Sequence, residues 1–330
     1  MSELGPNMEG RIASAFDLGA PAGPLTPVER GAMGMVWRLD TERGAWAVKQ
    51  LFEWARGEER LDLETRVTDA AVAAGVATPR IVRTPDGAVI ATLDDQRWRV
   101  FSWMDLGPPT RRPLCAEQAE GIGSLLARLH RLNLSGDPAE IIGWFTGRRT
   151  AAQWRGLEAQ AREASAPWAP LLAAALPGIE ELVRTADPKN FSGACVISHC
   201  DLTEDNVRFG PSGAQLIDWE HAGHIPPAWE LGSVLQLWAT GPGDETVDVA
   251  AGQAIVEAYR VGGGWAGPLT LDIFAGSISA WLNWTVSRVY TALHGKDVAE
   301  RERAATEASA LLRHPVTADR LQRLVASLES

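Results

Sequence analysis

Residues 194–220 hold the side chains of this chain best suited to chemistry. The run reads Ala194-Cys195-Val196-Ile197-Ser198-His199-Cys200-Asp201-Leu202-Thr203-Glu204-Asp205-Asn206-Val207-Arg208-Phe209. Gly210-Pro211-Ser212-Gly213 follows, and then Ala214-Gln215-Leu216-Ile217-Asp218-Trp219-Glu220. An apolar strand thus runs into a loop rich in carboxylates, and a second apolar strand ends in two more. The Gly-Pro-Ser-Gly turn predicts a hairpin that brings the 201–206 loop near Asp218. Clustered carboxylates repel unless cations neutralise them, so the pattern points to a divalent metal. Oxygen-only donors favour Mg²⁺ over Zn²⁺. The plainer alternative is a surface hairpin with solvated acidic loops. A zinc site built from Cys195, His199, Cys200, His221 and His224 matches no usual ligand spacing. Adjacent His199 and Cys200 are also poorly placed to form a nucleophile–base pair.

The chain around this run has 330 residues, enough for two domains or one domain with two lobes. Apolar residues make up 45% and charged residues 22%, ordinary globular usage. Residues 1–29 are rich in Gly and Pro, and Pro6, Pro21, Pro24 and Pro27 argue against a long regular element there. Period-2 patterns over 35–39 and 45–51, joined by turn chemistry, predict a hairpin. A helical pattern follows over 53–74, with Leu61, Val67, Ala70 and Ala74 on one face and Gly75 as the stop. Short strands are expected over 80–83, 88–93 and 97–103. After Gly107-Pro108-Pro109 helical patterns dominate: 116–132, 151–163, 168–185 and five more after Pro226, interrupted only by the 194–220 island.

His199-Cys200-Asp201-Leu202-x-x-x-Asn206 followed by Leu216-Ile217-Asp218-Trp219-Glu220 resembles the catalytic and metal loops of the aminoglycoside phosphotransferase and choline kinase family. The resemblance implies a bilobal, protein-kinase-like α+β fold. Residues 1–102 would form a β-rich N-lobe, 103–109 the hinge, and 110–330 a helical C-lobe with the catalytic loop, metal loop and acceptor site. It implies O-phosphotransfer from ATP or GTP with Mg²⁺, the nucleotide lying between the lobes. Asp201 would be the catalytic base, and Asn206 and Asp218 the metal ligands. Lys49, one of three lysines beside 28 arginines, falls where the family's strand lysine meets the α- and β-phosphates. Glu64 falls at the lysine-pairing position, with Glu58 and Glu59 as competitors. Gly31 and Gly34 fall in the phosphate-covering loop, and Ser102 and Met104 at the hinge that meets the purine. His199 would shape the loop, and His130, in Leu125-Leu126-Ala127-Arg128-Leu129-His130, would be structural.

One departure stands out. The position before the catalytic Asp is usually Gly in this family and here is Cys200, which a positive φ would strain. Trp219-Glu220 after Asp218 favours the small-molecule branch over protein kinases.

The formal net charge of −11 argues against nucleic acid and anionic membrane as partners. Three cysteines are too few for a disulfide framework, no segment reads as a signal peptide, and no apolar run reaches membrane-spanning length. A cytoplasmic enzyme is expected. Its leading acceptor is a hydroxylated antibiotic. The alternatives are a metabolic amino alcohol, amino acid or sugar, or a nucleotide-binding protein without catalysis. Glu204, Asp205, Glu220 and Glu230, with Trp229 and Trp284 as apolar walls, suggest a cationic acceptor.

Overall fold

The computed structural model describes residues 5–31, 34–52, 58–211, 213–240 and 246–329. The chain divides into two compact units. One comprises residues up to Pro109 together with Asp205–Ala222; the other comprises Thr110–Glu204 and the chain from Gly223 onward.

The first unit is built on an antiparallel sheet. Strands β1 (Thr26–Arg30), β2 (Gly34–Thr41) and β3 (Gly44–Leu51) precede helix α2 (Glu58–Ala73), and β4 (Ile81–Val82), β5 (Ala91–Leu93) and β6 (Gln96–Ser102) follow it. The order is β1-β2-β3-β6-β4, with β5 also on β6. The β2–β3 hairpin expected from the alternating pattern is present, with Thr41 opposite Gly44 and Val36 opposite Lys49. One face of the sheet presents Trp37, Leu39, Val48, Trp98 and Val100 to a core. Helix α1 (Met8–Ala15) completes that core with Met8 and Ile12, one helical turn apart. This short helix fits between Pro6 and Pro21, in a stretch whose prolines had argued only against a long element. The other face carries charge. Lys49 on β3 lies directly opposite Arg99 on β6.

Helix α2 buries Leu61, Glu64, Val67, Thr68 and Ala71. The buried stripe is therefore rotated from the expected one, because Ala74 is exposed and Glu64 points inward. The expected helical residues 53–57 lie outside the described residues.

Residues 205–222 group with this unit, not with the helical part as the sequence reading placed them. The hairpin of β9 (Val207–Gly210) and β10 (Gly213–Leu216) pairs Leu216 with Val207. Leu216 N–H donates to the Ala77 carbonyl at 2.9 Å. The Gln215 side chain accepts from Gly107 N–H and donates to the Asp105 carbonyl, each at 3.1 Å. Trp219 Nε1 donates to Thr78 Oγ1 at 2.8 Å. These bonds tie the hairpin to the segments around residues 77 and 106.

The second unit is mostly helical: α3 (Ala116–His130), α4 (Gly143–Thr146), α5 (Ala151–Glu163), α6 (Ala169–Arg184), α7 (Pro227–Trp238), α8 (Val249–Val261), α9 (Ala275–His294), α10 (Val298–Arg313) and α11 (Ala318–Leu328). The five helices expected after Pro226 are all there. A small sheet places β8 (Cys195–Ser198) between β7 (Ser135–Gly136) and β11 (Gly223–Ile225). Helices α3 and α8 meet backbone to backbone at Gly123, where a Cβ would stand 2.2 Å from the Ile255 carbonyl oxygen. Strand β8 delivers the chain to residue 199, and so fixes where the catalytic-type loop begins.

Candidate active site

The loop after β8 is held from both sides of Asp201. His199 is fully buried. Cys200 N–H donates to Glu230 Oε1 at 2.7 Å. The Leu202 carbonyl accepts from Trp238 Nε1 at 2.9 Å, and the Leu202 side chain is buried. Asp201 between them is half-buried, and its own carbonyl accepts from Thr203 N–H at 2.9 Å. A carboxylate on so constrained a backbone loses little further freedom when a reacting group approaches it.

Glu230 anchors this clamp. It is 1% exposed, and its Oε2 lies 2.7 Å from His130 Nε2. His130 Nδ1 is 2.7 Å from the Tyr259 hydroxyl, which accepts from Trp265 N–H at 2.9 Å. Burial alone would push the Glu230 carboxyl up, but the His130 hydrogen bond and charge outweigh it and hold the group below the usual carboxylate range. His130 is structural, as the resemblance implied. Its partner Glu230 was missed as a support, because nothing in sequence periodicity pairs position 230 with position 200.

Cys200 takes φ 64°. The loop thus demands the left-handed conformation that Gly adopts freely and that costs another residue about 1–2 kcal/mol. The thiol recovers some of that cost. It approaches the Gly223 carbonyl at 3.4 Å and packs against the cluster of Phe145, Ile225, Trp229 and Ala275. Relief of strain and loss of packing oppose each other in Cys200→Gly. The variant is expected to keep its activity, with stability within about 1 kcal/mol of wild type. Thermal unfolding and steady-state turnover check this; a collapse of turnover would give the thiol a role beyond packing.

In the first unit the β9–β10 hairpin brings the two expected metal ligands together. Ile217 N–H donates to the Asn206 carbonyl at 3.1 Å, extending the ladder and leaving Asp218 next in line. Asn206 is buried, whereas the Asp218 side chain is 41% exposed. Asp218 also takes φ 64°. Among the described residues no three His, Cys, Asp or Glu side chains converge in metal-holding geometry. An amide and a carboxylate oxygen suit Mg²⁺, which draws its other ligands from phosphates and water.

Lys49 and Arg99 sit side by side on adjacent strands, an arrangement that repels unless it is neutralised. Each cation has its own carboxylate. Arg99 Nη1 meets Glu64 Oε1 at 2.5 Å. Lys49 Nζ pairs with Glu220 Oε1 and lies 3.6 Å from Asp218 Oδ1. Burial opposes the lysine charge, but Asp218 and Glu220 outweigh it and raise its pKa. The ion pair that Lys49 makes here is therefore with Glu220, while Glu64, the expected partner, serves Arg99. Arg99 was missed because an arginine in an alternating strand reads as solvent-facing.

Gly34 pairs with Leu51, and a Cβ there would stand 2.4 Å from the Gln50 carbonyl oxygen. Strand packing alone requires that glycine. Gly31 N–H donates to the Gly34 carbonyl at 2.9 Å, and residues 32–33 of this loop lie outside the described residues. At the expected hinge, Ser102 N–H bonds the Arg80 carbonyl and Ser102 Oγ accepts from Arg80 N–H. Trp103 N–H bonds the Ala45 carbonyl. Met104 has no backbone hydrogen bond among the described residues, so its N–H and carbonyl stay available.

The carboxylates expected to attract a cationic acceptor are mostly engaged. Glu204 accepts from Arg112 Nε at 2.9 Å and lies 3.7 Å from Arg111. Glu220 holds Lys49, and Glu230 holds His130. Trp229 is buried against Phe191, ring centres 5.1 Å apart, and offers no open wall. Trp284 is 42% exposed. Three of the four carboxylates are thus already paired with basic groups of this chain.

The model of the phosphotransferase enzyme family matches residues 24–269. A homoserine kinase of Bradyrhizobium sp. is 28% identical over 191 residues, 56% of this chain and 54% of that protein. Another, of Methylorubrum populi, is 27% identical over 212 residues, 64% of this chain and 63% of that protein. The chain therefore spans a little over half of one curated relative and under two thirds of the other. The crystal structure of a spectinomycin phosphotransferase with ADP and spectinomycin is similar in fold, with TM-score 0.71 and 12% identity over 100% of this chain and 99% of that one.

Proposed function

The chain belongs to the phosphotransferase enzyme family, and we propose that it transfers the γ-phosphoryl group of ATP or GTP to a hydroxyl of a small molecule. The observation that carries this reading is the two-sided clamp on Asp201, through Cys200 to Glu230 and through Leu202 to Trp238. Phosphoryl transfer asks little covalent chemistry of a protein and much positioning. Asp201 accepts the proton of the acceptor hydroxyl. Asn206 and Asp218 hold Mg²⁺, which when bound neutralises charge on the phosphate oxygens. Lys49 pairs with the phosphates, Met104 offers backbone groups to the purine, and Gly31 and Gly34 approach the phosphates.

For the acceptor, the leading reading is a hydroxylated antibiotic. The homoserine kinase relatives favour a second reading, a hydroxyl-bearing amino acid or amino alcohol. An ADP- and GDP-release screen separates the two. It pairs homoserine, aminopropanol and choline with spectinomycin, aminoglycosides, nucleoside antibiotics and macrolides. Release with none of them above the rate without acceptor would count against phosphotransfer to this range of acceptors. Among the described residues no helix is long and apolar enough to cross a membrane.

Lys49 gives a separate test of the nucleotide half. The Lys49 and Glu220 side chains are only 15% and 12% exposed. Removing one partner of such a pair costs about 3–5 kcal/mol. Lys49→Met is therefore expected to lower both kcat and thermal stability, and to raise the nucleotide KM. The double variant Lys49→Met/Glu220→Gln should recover stability without recovering nucleotide affinity. Recovery of both would reduce Lys49 to a structural counter-charge.

A further inference from the structure

We propose that the helical unit carries a second small-molecule site, a pocket of about 350 Å³ between α4 and α9 that binds a ring-bearing carboxylate. Its floor is one face of α9: Asn283, Ser287, Tyr290 and Thr291 fall at positions that share a helix face. Trp144 and Arg149 line the other side. None of the lining residues belongs to the 199–206 loop.

The pocket is built rather than incidental. Asn283 Nδ2 donates to the carbonyls of Trp144 at 2.9 Å and Gly147 at 2.8 Å, stapling α4 to α9. Both amide hydrogens are spent, and Oδ1 is left as an acceptor for a ligand hydroxyl. Arg148 spends its guanidinium on Ser279 Oγ and on the carbonyls of Leu182, Thr185, Ala186 and Ala275. That grip fixes the chain where Arg149 leaves it. Arg149 itself is exposed and lines the pocket with no carboxylate among the other lining residues.

Exposed aromatic surface concentrates at the same place. Trp144 is 38%, Trp284 42% and Tyr290 53% exposed, three of the seven large exposed hydrophobic residues among those described. Trp284 meets Trp144 edge-on at 6.3 Å, and the Arg288 guanidinium lies 4.4 Å over the Trp284 ring. Aromatic walls hold a flat ring, an exposed guanidinium holds a carboxylate by two parallel hydrogen bonds, and the volume suits a small ligand. An amine would meet a cation with no carboxylate to receive it.

Three probes share one ring and differ only in the end group: 4-hydroxyphenylacetate, 4-hydroxyphenylethanol and 4-hydroxyphenylethylamine. Binding to the full chain without nucleotide is read by saturation-transfer NMR and calorimetry. The carboxylate is expected to bind about tenfold more tightly than the alcohol, with the amine weakest. Arg149→Gln should bring the carboxylate down to the alcohol, and Tyr290→Ala should weaken all three about fivefold. Both side chains are exposed, and thermal unfolding of each variant confirms that the fold is kept. No saturation transfer from any probe at millimolar concentration would overturn the proposal. So would an amine that binds as tightly as the carboxylate, or an Arg149→Gln variant with the original preference. ADP release run alongside reports on phosphotransfer independently, because these binding measurements need no turnover.

Discussion

Asp201→Asn is expected to lower turnover by about 10²–10⁴-fold, the contribution of one positioned base, with fold and nucleotide affinity kept. The substitution changes one oxygen to an amide nitrogen at nearly constant shape. The supports of the loop, from Glu230 to Cys200 N–H and from Trp238 to the Leu202 carbonyl, do not involve the Asp201 side chain. The variant therefore separates chemistry from architecture. Turnover is measured by ADP release with the acceptor that the screen identifies, nucleotide affinity by calorimetry, and folding by thermal unfolding. Near-normal turnover in a folded variant would remove Asp201 from the chemistry. A parallel fall in nucleotide affinity would mean that the loop had moved, and the loss could not then be assigned to proton transfer.

The same loop shows which features could be read from residues alone. Residue types and spacing were enough for the strand, loop, turn and second strand that carry Asp201, Asn206 and Asp218, because an apolar strand, a polar loop, a tight turn and a second strand leave few ways to fold. The hairpin of β2 and β3 was legible for the same reason, and with it the strand position of Lys49. The partners of these groups were not legible. Glu230 reaches Cys200 from another helix, and Arg99 stands opposite Lys49 only because of strand register. Side-chain engagement was also hidden. Glu204, Glu220 and Glu230 read as free acids along the chain, and each is paired in space with a basic group. The question that Cys200 raised was a backbone question, and φ 64° answers it: the loop keeps a glycine-like conformation around a non-glycine residue.

Asp218→Asn is expected to remove most of the Mg²⁺-dependent gain in nucleotide affinity. Losing a residue that merely supports a metal ligand costs about 10–100-fold in metal affinity, so losing a ligand should cost no less. The choice of Asn matters, because Asp218 takes φ 64° and ψ 73°, a conformation that Asn tolerates better than most residues. Asp218→Ala would add backbone strain and blur the reading. The Trp219 bond to Thr78 and the Ile217 bond to Asn206 should persist, since neither uses the Asp218 carboxylate. Lys49 also keeps Glu220 as its partner when the neighbouring charge, 3.6 Å away, is removed. Calorimetric titration of nucleotide with and without Mg²⁺ gives four affinities. The two measured without metal should agree closely, with the variant slightly the tighter because a carboxylate no longer repels the phosphates. The two measured with metal should differ by the factor above. An equal Mg²⁺-dependent gain in both proteins would mean that Asp218 does not hold the ion, and would leave its strained backbone without a functional reason.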